Sequence, residues 1–152
     1  MAMYQFLEQR AEQFMTRGVI TVTRQTTLGE MADLFSVHDF NAFPVMDAGH
    51  MVGIVTKFDF LKAFAFTTHQ IVPHYEELMR GLVQDVMTEA VVDVRPDTPL
   101  TRIVQLMINT RARSFPVREG NGSLVGMISR EDLTRALRLG AQAPEGGSGD
   151  AV

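Results

Sequence analysis

The 152-residue sequence contains no cysteine and no tryptophan. Without cysteine, disulfides, thiolate metal sites and thiol nucleophiles are excluded together, and the composition fits a reducing compartment such as the cytoplasm. No apolar run approaches the roughly 18 residues of a membrane span; Ala42-Phe43-Pro44-Val45-Met46 is typical of the longest. Glu8, Arg10 and Glu12 stand where a signal peptide needs apolar residues, so no targeting segment is expected. A basic excess is also missing. Lys and Arg number 14 against 18 Asp and Glu, a net charge of −4, which argues against a nucleic-acid backbone as partner. It leaves open a small phosphate ligand, which needs only a few local donors. No Gly-x-Ser-x-Gly, Walker loop or His-Glu-x-x-His occurs, and no nucleophile–base pair supports an enzyme. What is present is a 45% hydrophobic composition with ten Met and ten Phe, which suggests a pliable core, though Met equally marks an adaptable surface. A chain of this length buries roughly 68–70% of its unfolded surface and folds without staples.

A repeat organises the chain. Met15-Thr16-Arg17-Gly18-Val19-Ile20-Thr21-Val22 matches Met87-Thr88-Glu89-Ala90-Val91-Val92-Asp93-Val94 at an offset of 72 residues. The offset continues through Thr26/Thr98, Leu28/Leu100, Met31/Ile103 and Phe43-Pro44-Val45/Phe115-Pro116-Val117. It becomes 73 at Val52-Gly53-Ile54-Val55/Val125-Gly126-Met127-Ile128 and at Asp59/Asp132. The inserted residue falls between Asp47–His50 and Arg118–Ser123, Gly- and Asn-containing stretches that predict hairpin turns, where length varies cheaply. Two copies of this period indicate a duplicated half-domain rather than a solenoid.

Each copy predicts strand, helix, strand, strand, helix. The first strand is expected over Val19–Thr23 and Val91–Val94. The first helix starts at Thr27 with Glu30 completing a capping box; in the second copy Thr98 is the expected cap, with Pro99 in the first helical position. Leu28, Met31, Leu34 and Phe35, then Leu100, Ile103, Val104 and Met107, recur at helical spacing and predict buried faces. The hairpins are Ala42–Met46 with Met51–Val55 and Ser114–Val117 with Leu124–Ile128, and a last helix begins at Thr56 and at Ser129. Residues 2–14 predict one helix with Phe6, Leu7, Ala11 and Phe14 as its stripe. Lys62–Gly81 continues the last helix of the first copy and then links the copies, with Pro73 ending one piece. Residues 141–152 carry too little apolar matter to pack and are expected to be disordered. The expected organisation is therefore an N-terminal helix over 1–14, repeats over 15–66 and 82–140, a linker over 67–81 and the tail.

Met-Thr…Val-x-x-Val, an amphipathic helix, Phe-Pro-Val, then Val-Gly-(Ile/Met)-(Val/Ile)-(Thr/Ser)-x-x-Asp resembles the CBS domain, and two in tandem resemble a Bateman module. The resemblance spans roughly residues 10–66 and 80–138. It implies an α+β fold of two pseudo-symmetric β-α-β-β-α repeats with ligand clefts between the copies. The implied ligands contain adenosine: AMP, ADP or ATP, or S-adenosylmethionine, with Mg²⁺ an optional companion of a polyphosphate. It further implies a regulatory, energy-sensing role and pairing into a homodimer.

The chemistry of the two candidate sites agrees with that class. Thr56-Lys57-Phe58-Asp59 and Ser129-Arg130-Glu131-Asp132 each open a helix, whose unpaired N–H groups favour a phosphate. The resemblance gives Asp59 and Asp132 to ribose and the Thr56 and Ser129 hydroxyls to phosphate, with Lys57, Arg130 and Arg113 as candidate phosphate cations. Taken alone, either motif is equally a plain capping box that needs no ligand. The resemblance maps adenine contacts onto main chain at Val19, Ile20, Asn41 and Ala42, and at Val91, Val92, Ala112 and Arg113. Because Asn41 is neutral where Arg113 is charged, the two sites are expected to be unequal, whereas Arg111 reads as a surface charge. His38, His50, His69 and His74 lack metal-ligand spacing and read as ordinary histidines. Phe58, Phe60, Phe64 and Phe66 read as packing between helices or at a dimer face. Two functions compete: an adenine-nucleotide-binding regulatory module, and a ligand-independent docking or dimerisation adaptor with vestigial clefts.

Overall fold

The computed structural model describes residues 2–65 and 75–142. In chain order its elements are α1 (Ala2–Glu8), α2 (Ala11–Phe14), β1 (Val22–Thr23), α3 (Leu28–Val37), β2 (Ala42–Asp47), β3 (His50–Thr56), α4 (Lys57–Ala65), α5 (Tyr75–Met79), α6 (Leu100–Thr110), β4 (Ser114–Arg118), β5 (Leu124–Ser129) and α7 (Arg130–Gln142). The class is α+β, and the elements form two compact units. One is contiguous, Ile20–Val91; the other is split between Met1–Val19 and Val92–Val152.

Each unit is built on its predicted hairpin. In the contiguous unit β2 pairs antiparallel with β3, Ala42 opposite Thr56 and Phe43 opposite Val55. Ala48 and Gly49 both take positive φ, 50° and 82°, the conformation of a tight hairpin turn whose twist matches its strands. The split unit pairs β4 with β5, Ser114 opposite Ser129 and Phe115 opposite Ile128. Its turn is longer, closed by Glu119 N–H on the Ser123 carbonyl at 2.9 Å, with Gly122 at φ 90°. The one-residue change of repeat offset thus falls in the turn itself, beyond the irregularity that both ladders share at Val45/Met46 and Val117/Arg118.

A parallel neighbour lies beside each hairpin. β1 runs along β2 with Val22 opposite Val45, and Val94 bridges Val117 in the same sense. The opposite edge is taken by a Met-Thr segment. Thr88 bridges Ile54 through two hydrogen bonds of 2.9 Å, and Thr16 bridges Met127 through bonds of 2.7 and 3.0 Å. Met15-Thr16, read as the start of the first repeat, therefore edges the sheet of the second repeat's hairpin, and Met87-Thr88 edges the first. This crossing explains the glycine of each Val-Gly pair. A Cβ on Gly53 would stand 2.7 Å from the Thr88 carbonyl oxygen, and one on Gly126 2.8 Å from that of Thr16.

Against these sheets the helices bury their apolar stripes. The contiguous core joins Val22, Met31, Phe43, Val45, Val55 and Val83, with Leu34, Phe35 and Phe60 packed on it. In the split unit Leu100, Ile103 and Met107 of α6 meet Phe115, Val117, Ile128, Leu133 and Ala136. Thr27 caps α3 as the spacing predicts: its hydroxyl accepts the Glu30 N–H at 3.1 Å, and the Glu30 carboxylate accepts the Thr27 N–H at 2.9 Å.

Local expectations fail where a tertiary contact redirects the backbone. Residues 2–14 are two helices, because Arg10 is extended and bridges Pro99 while Ala11 N–H reaches the Thr98 carbonyl at 2.9 Å. Leu7, placed on the buried stripe, is exposed. The cap of α6 is Pro99, whose carbonyl takes the Arg102 and Ile103 N–H groups; Thr98 instead accepts Arg95 N–H at 2.9 Å and closes the preceding turn. The first strand of each copy shrinks to Val22–Thr23 and to the single bridge at Val94. Residues 75–79 of the predicted linker form α5, and α7 runs through Gln142, two residues into the predicted tail. Phe66, His69, Pro73, His74 and residues 143–152 lie outside the described residues.

Candidate functional site

Each hairpin delivers its second strand directly into a helix, and the junction residue is Thr56 or Ser129. At such a junction the helix exposes N–H groups that need acceptors, and the residue three places on supplies the reciprocal partner. Thr56 N–H donates to Asp59 Oδ2 at 3.0 Å, and Asp59 N–H donates to Thr56 Oγ1 at 3.0 Å. Ser129 N–H donates to Asp132 Oδ2 at 2.8 Å, and Asp132 N–H donates to Ser129 Oγ at 3.2 Å. The Ser129 hydroxyl also reaches Asp132 Oδ2, at 3.0 Å. Both motifs are complete capping boxes.

Asp59 is 4% exposed and Asp132 5%, the two buried charged residues of the described chain. A buried carboxylate needs partners for both oxygens, and the second oxygen of each meets a cation one turn later. Lys62 Nζ lies 3.2 Å from Asp59 Oδ1, and Arg135 Nη1 lies 3.1 Å from Asp132 Oδ1. Arg135 also donates to the Phe14 carbonyl at 3.0 Å and lies over the Phe14 ring. The sequence reading missed Lys62 and Arg135, although a basic residue three places after each Asp, repeated at the 73-residue offset, was there to be read.

The start of each hairpin joins its box. Lys57 N–H donates to the Asn41 carbonyl at 2.9 Å, and Arg130 N–H to the Arg113 carbonyl at 3.0 Å. Asn41, Ala42, Thr56, Lys57 and Asp59 are thus brought together in the contiguous unit. Ala112, Arg113, Ser129, Arg130 and Asp132 are brought together in the split unit. The remaining main-chain candidates stand apart from this pairing: the parallel neighbour begins only at Val22 and Val94, after Val19, Ile20, Val91 and Val92. Of these Ile20 packs on the contiguous core and Val92 is exposed.

The cations beside the boxes are held differently. Lys57 Nζ sits 5.9 Å from the Phe35 ring centre. Arg130 donates from Nε to the Ala112 carbonyl at 3.3 Å and from Nη2 to the Arg111 carbonyl at 3.0 Å. Arg113 is exposed, as is Arg111. Phe60 packs edge-on against Phe64 and tilted against Phe35, whereas Phe58 is 70% exposed and, among the described residues, carries only Lys62 over its ring. Two residues along a helix turn a side chain to the opposite face, so Phe58 cannot share the packing of Phe60. His38 stacks on Phe40 with ring centres 5.5 Å apart.

Among the described residues no helix is long and apolar enough to cross a membrane. Over 132 residues the chain is 32% identical to the A-adding tRNA nucleotidyltransferase of Geobacter sulfurreducens, a match covering 87% of this chain and 14% of that protein. It is 30% identical over 129 residues to a 17.7 kDa protein of Acidianus ambivalens, covering 84% of this chain and 73% of the relative. The crystal structure of CBSX2 in complex with AMP is similar with a TM-score of 0.72 at 26% identity, covering 86% of this chain and 96% of that one. The family model of the CBS domain matches twice, over residues 11–66 and again over residues 83–139. With two matches in tandem over more than half of its length, the chain belongs to the CBS-domain family.

Proposed function

We propose that this chain is a regulatory module that binds adenosine-containing ligands of the AMP, ADP or ATP class without chemical change, and signals their presence to a partner protein. The observation that carries this reading is the repeated, buried Thr/Ser–Asp box at a strand-to-helix junction within a CBS pair, in a family whose member CBSX2 is seen with AMP. Asp59 and Asp132 would each accept hydrogen bonds from ribose hydroxyls, as acidic residues do in dinucleotide folds. Thr56 and Ser129 hydroxyls, with the helix N–H groups behind them, would face phosphate. Lys57, Arg113 and Arg130 would supply positive charge nearby, and main chain at Val19, Ile20, Asn41 and Ala42, and at Val91, Val92 and Ala112, would read the adenine edge. Binding acts by differential affinity for two arrangements of the protein, and the homodimer is the form we expect a partner to meet.

Thermal melts with AMP, ADP, ATP and S-adenosylmethionine test this directly. A ligand at 100 times its Kd adds about 2.7 kcal/mol to stability, an easily read upward shift. Asp59→Ala and Asp132→Ala should each remove one binding event. No shift with any of the four compounds at millimolar concentration overturns the reading.

One observation favours the adaptor reading instead: both carboxylates are already engaged by the N–H and the cation of their own helix turn. Under that reading both variants lose a cap, about 1 kcal/mol, together with the ion pair to Lys62 or Arg135, and a partner is captured equally with and without nucleotide.

A further inference from the structure

The two boxes share a backbone and differ in charge. Near the box of the split unit stand Arg111, Arg113, Arg130, Arg135 and Arg138, with Glu131 the one acidic group among them; the matching positions of the contiguous unit hold Asp39, Asn41, Lys57, Lys62 and Ala65, with Phe58 in place of Glu131. One position reverses sign and two others lose a cation. The split unit carries ten cationic side chains, all arginine, against nine acidic ones; the contiguous unit carries four against nine. Their net charges are +1 and −5. At physiological salt only charges within about 8 Å of a ligand act on it strongly, so the local arginines matter more than these totals.

Arg130 makes the local difference structural. Its two guanidinium bonds and its backbone N–H engage the carbonyls of Arg111, Ala112 and Arg113, three consecutive residues. Arg111 itself ends α6 in the left-handed region, φ 61° and ψ 14°, with its N–H on the Met107 carbonyl at 2.8 Å. A non-glycine residue keeps that conformation only when its surroundings hold it. The loop is therefore tied at both ends, while the exposed guanidinium groups of Arg111 and Arg113 have no hydrogen-bond or ion-pair partner among the described residues. A loop ordered in advance loses little entropy when an anion arrives. Lys57 cannot hold the corresponding loop in this way: its ammonium is a single point without the planar fork of arginine, and it is turned to the Phe35 ring.

We propose that Arg130, by bracing the Arg111–Arg113 loop, makes the box of the split unit the one that takes a nucleoside polyphosphate, while the contiguous unit's box takes an adenosine compound with one phosphate or none. Arg130 is thus a positioning residue, and Arg111 and Arg113 meet the outer phosphates. The assignment rests on the adenosine-ligand reading above.

Calorimetric titration of the full chain with ATP, AMP and adenosine separates the two. Asp59→Ala, which leaves the split unit's box, is expected to bind ATP at least about tenfold tighter than AMP, since one charge-assisted hydrogen bond is worth that much. Asp132→Ala is expected to show no such preference. Arg130→Lys keeps the charge and loses the brace, and should cut ATP affinity about tenfold with AMP binding at the other box unchanged. Arg113→Asn, an exposed change that copies Asn41, should act in the same direction and does not depend on the brace for folding. ATP preference that survives both arginine variants, or that resides with Thr56 and Asp59, overturns this inference and leaves the adenosine reading intact. No binding of any adenosine compound overturns both.

Discussion

The contiguous and split units arrive at the same sheet and helix order with different interiors. In the contiguous unit Phe43 meets Phe35 and Phe40 with ring centres 5.1 and 5.9 Å apart, and Phe35 passes the contact on to Phe60 at 5.8 Å. In the split unit Phe115 shares its core with Phe6, Leu100, Ile103, Met107, Ile128 and Leu133, and has no ring pair among the described residues. Both interiors are closed, with Phe43 at 0% exposure and Phe115 at 2%. The duplicated fold therefore keeps some core positions identical, as Phe43 and Phe115 or Val45 and Val117, and changes the apolar residues packed around them, exchanges that cores tolerate. The surfaces were freer to diverge, and there the charge difference arose.

The largest effects are expected in the cores. Phe43→Ala and Phe115→Ala should each cost about 3–5 kcal/mol in urea unfolding. If the ring contacts add to burial, the loss at Phe43 exceeds that at Phe115 by about 0.5–1.5 kcal/mol. Equal losses would mean that the aromatic chain of the contiguous unit contributes only its area.

Next comes the crossing of the Met-Thr segments. Gly53→Ala and Gly126→Ala each press a methyl group against a backbone carbonyl and should cost about 1–3 kcal/mol by overpacking, read as a lower melting temperature. Gly126→Ala meets Thr16 oxygen and the Met15 sulfur both at 2.8 Å, whereas Gly53→Ala meets Thr88 oxygen at 2.7 Å with the Met87 sulfur further off at 3.2 Å. The sulfur can swing away and the carbonyls cannot, so similar losses are expected. A neutral outcome at either position would remove the steric account of that glycine.

The smallest effect sharpens the contrast between the first helices. Thr27→Ala removes a cap from α3 and should cost about 1 kcal/mol. Thr98→Ala removes only the turn bond to Arg95 N–H, and should cost less, about 0.5 kcal/mol. The same melts measure both, and a larger loss at Thr98 would contradict the assignment of Pro99 as the α6 cap.

Much of this architecture was legible in the chain because the repeat states it twice. The hairpins, the Thr27–Glu30 box and the Thr56–Asp59 and Ser129–Asp132 boxes are local: three or four residues, their spacing and one hydrogen-bond rule are enough to specify them. The break at Gln9–Arg10 and the displaced cap at Pro99 were not legible, because each is made by the other. Arg10 is extended in order to bridge Pro99, a partner distant in sequence. Lys62 and Arg135 stood in plain view, but a surface-looking cation acquires its role only once the carboxylate three places before it is known to be buried. Arg130 shows the same limit. Its charge suggested a phosphate, and its fork is turned onto the carbonyls of Arg111 and Ala112.

The lack of cysteine excluded disulfides and thiol chemistry, and the 72-residue offset set the duplicated plan. Periodicity and capping follow from neighbours along the chain, so composition and spacing suffice for them. The exchange of Met15-Thr16 and Met87-Thr88 between the sheets, the burial of Asp59 and Asp132, and the bracing of the 111–113 loop needed the folded molecule. Each depends on which distant residues come within hydrogen-bond reach, and that is settled only when the whole core has packed.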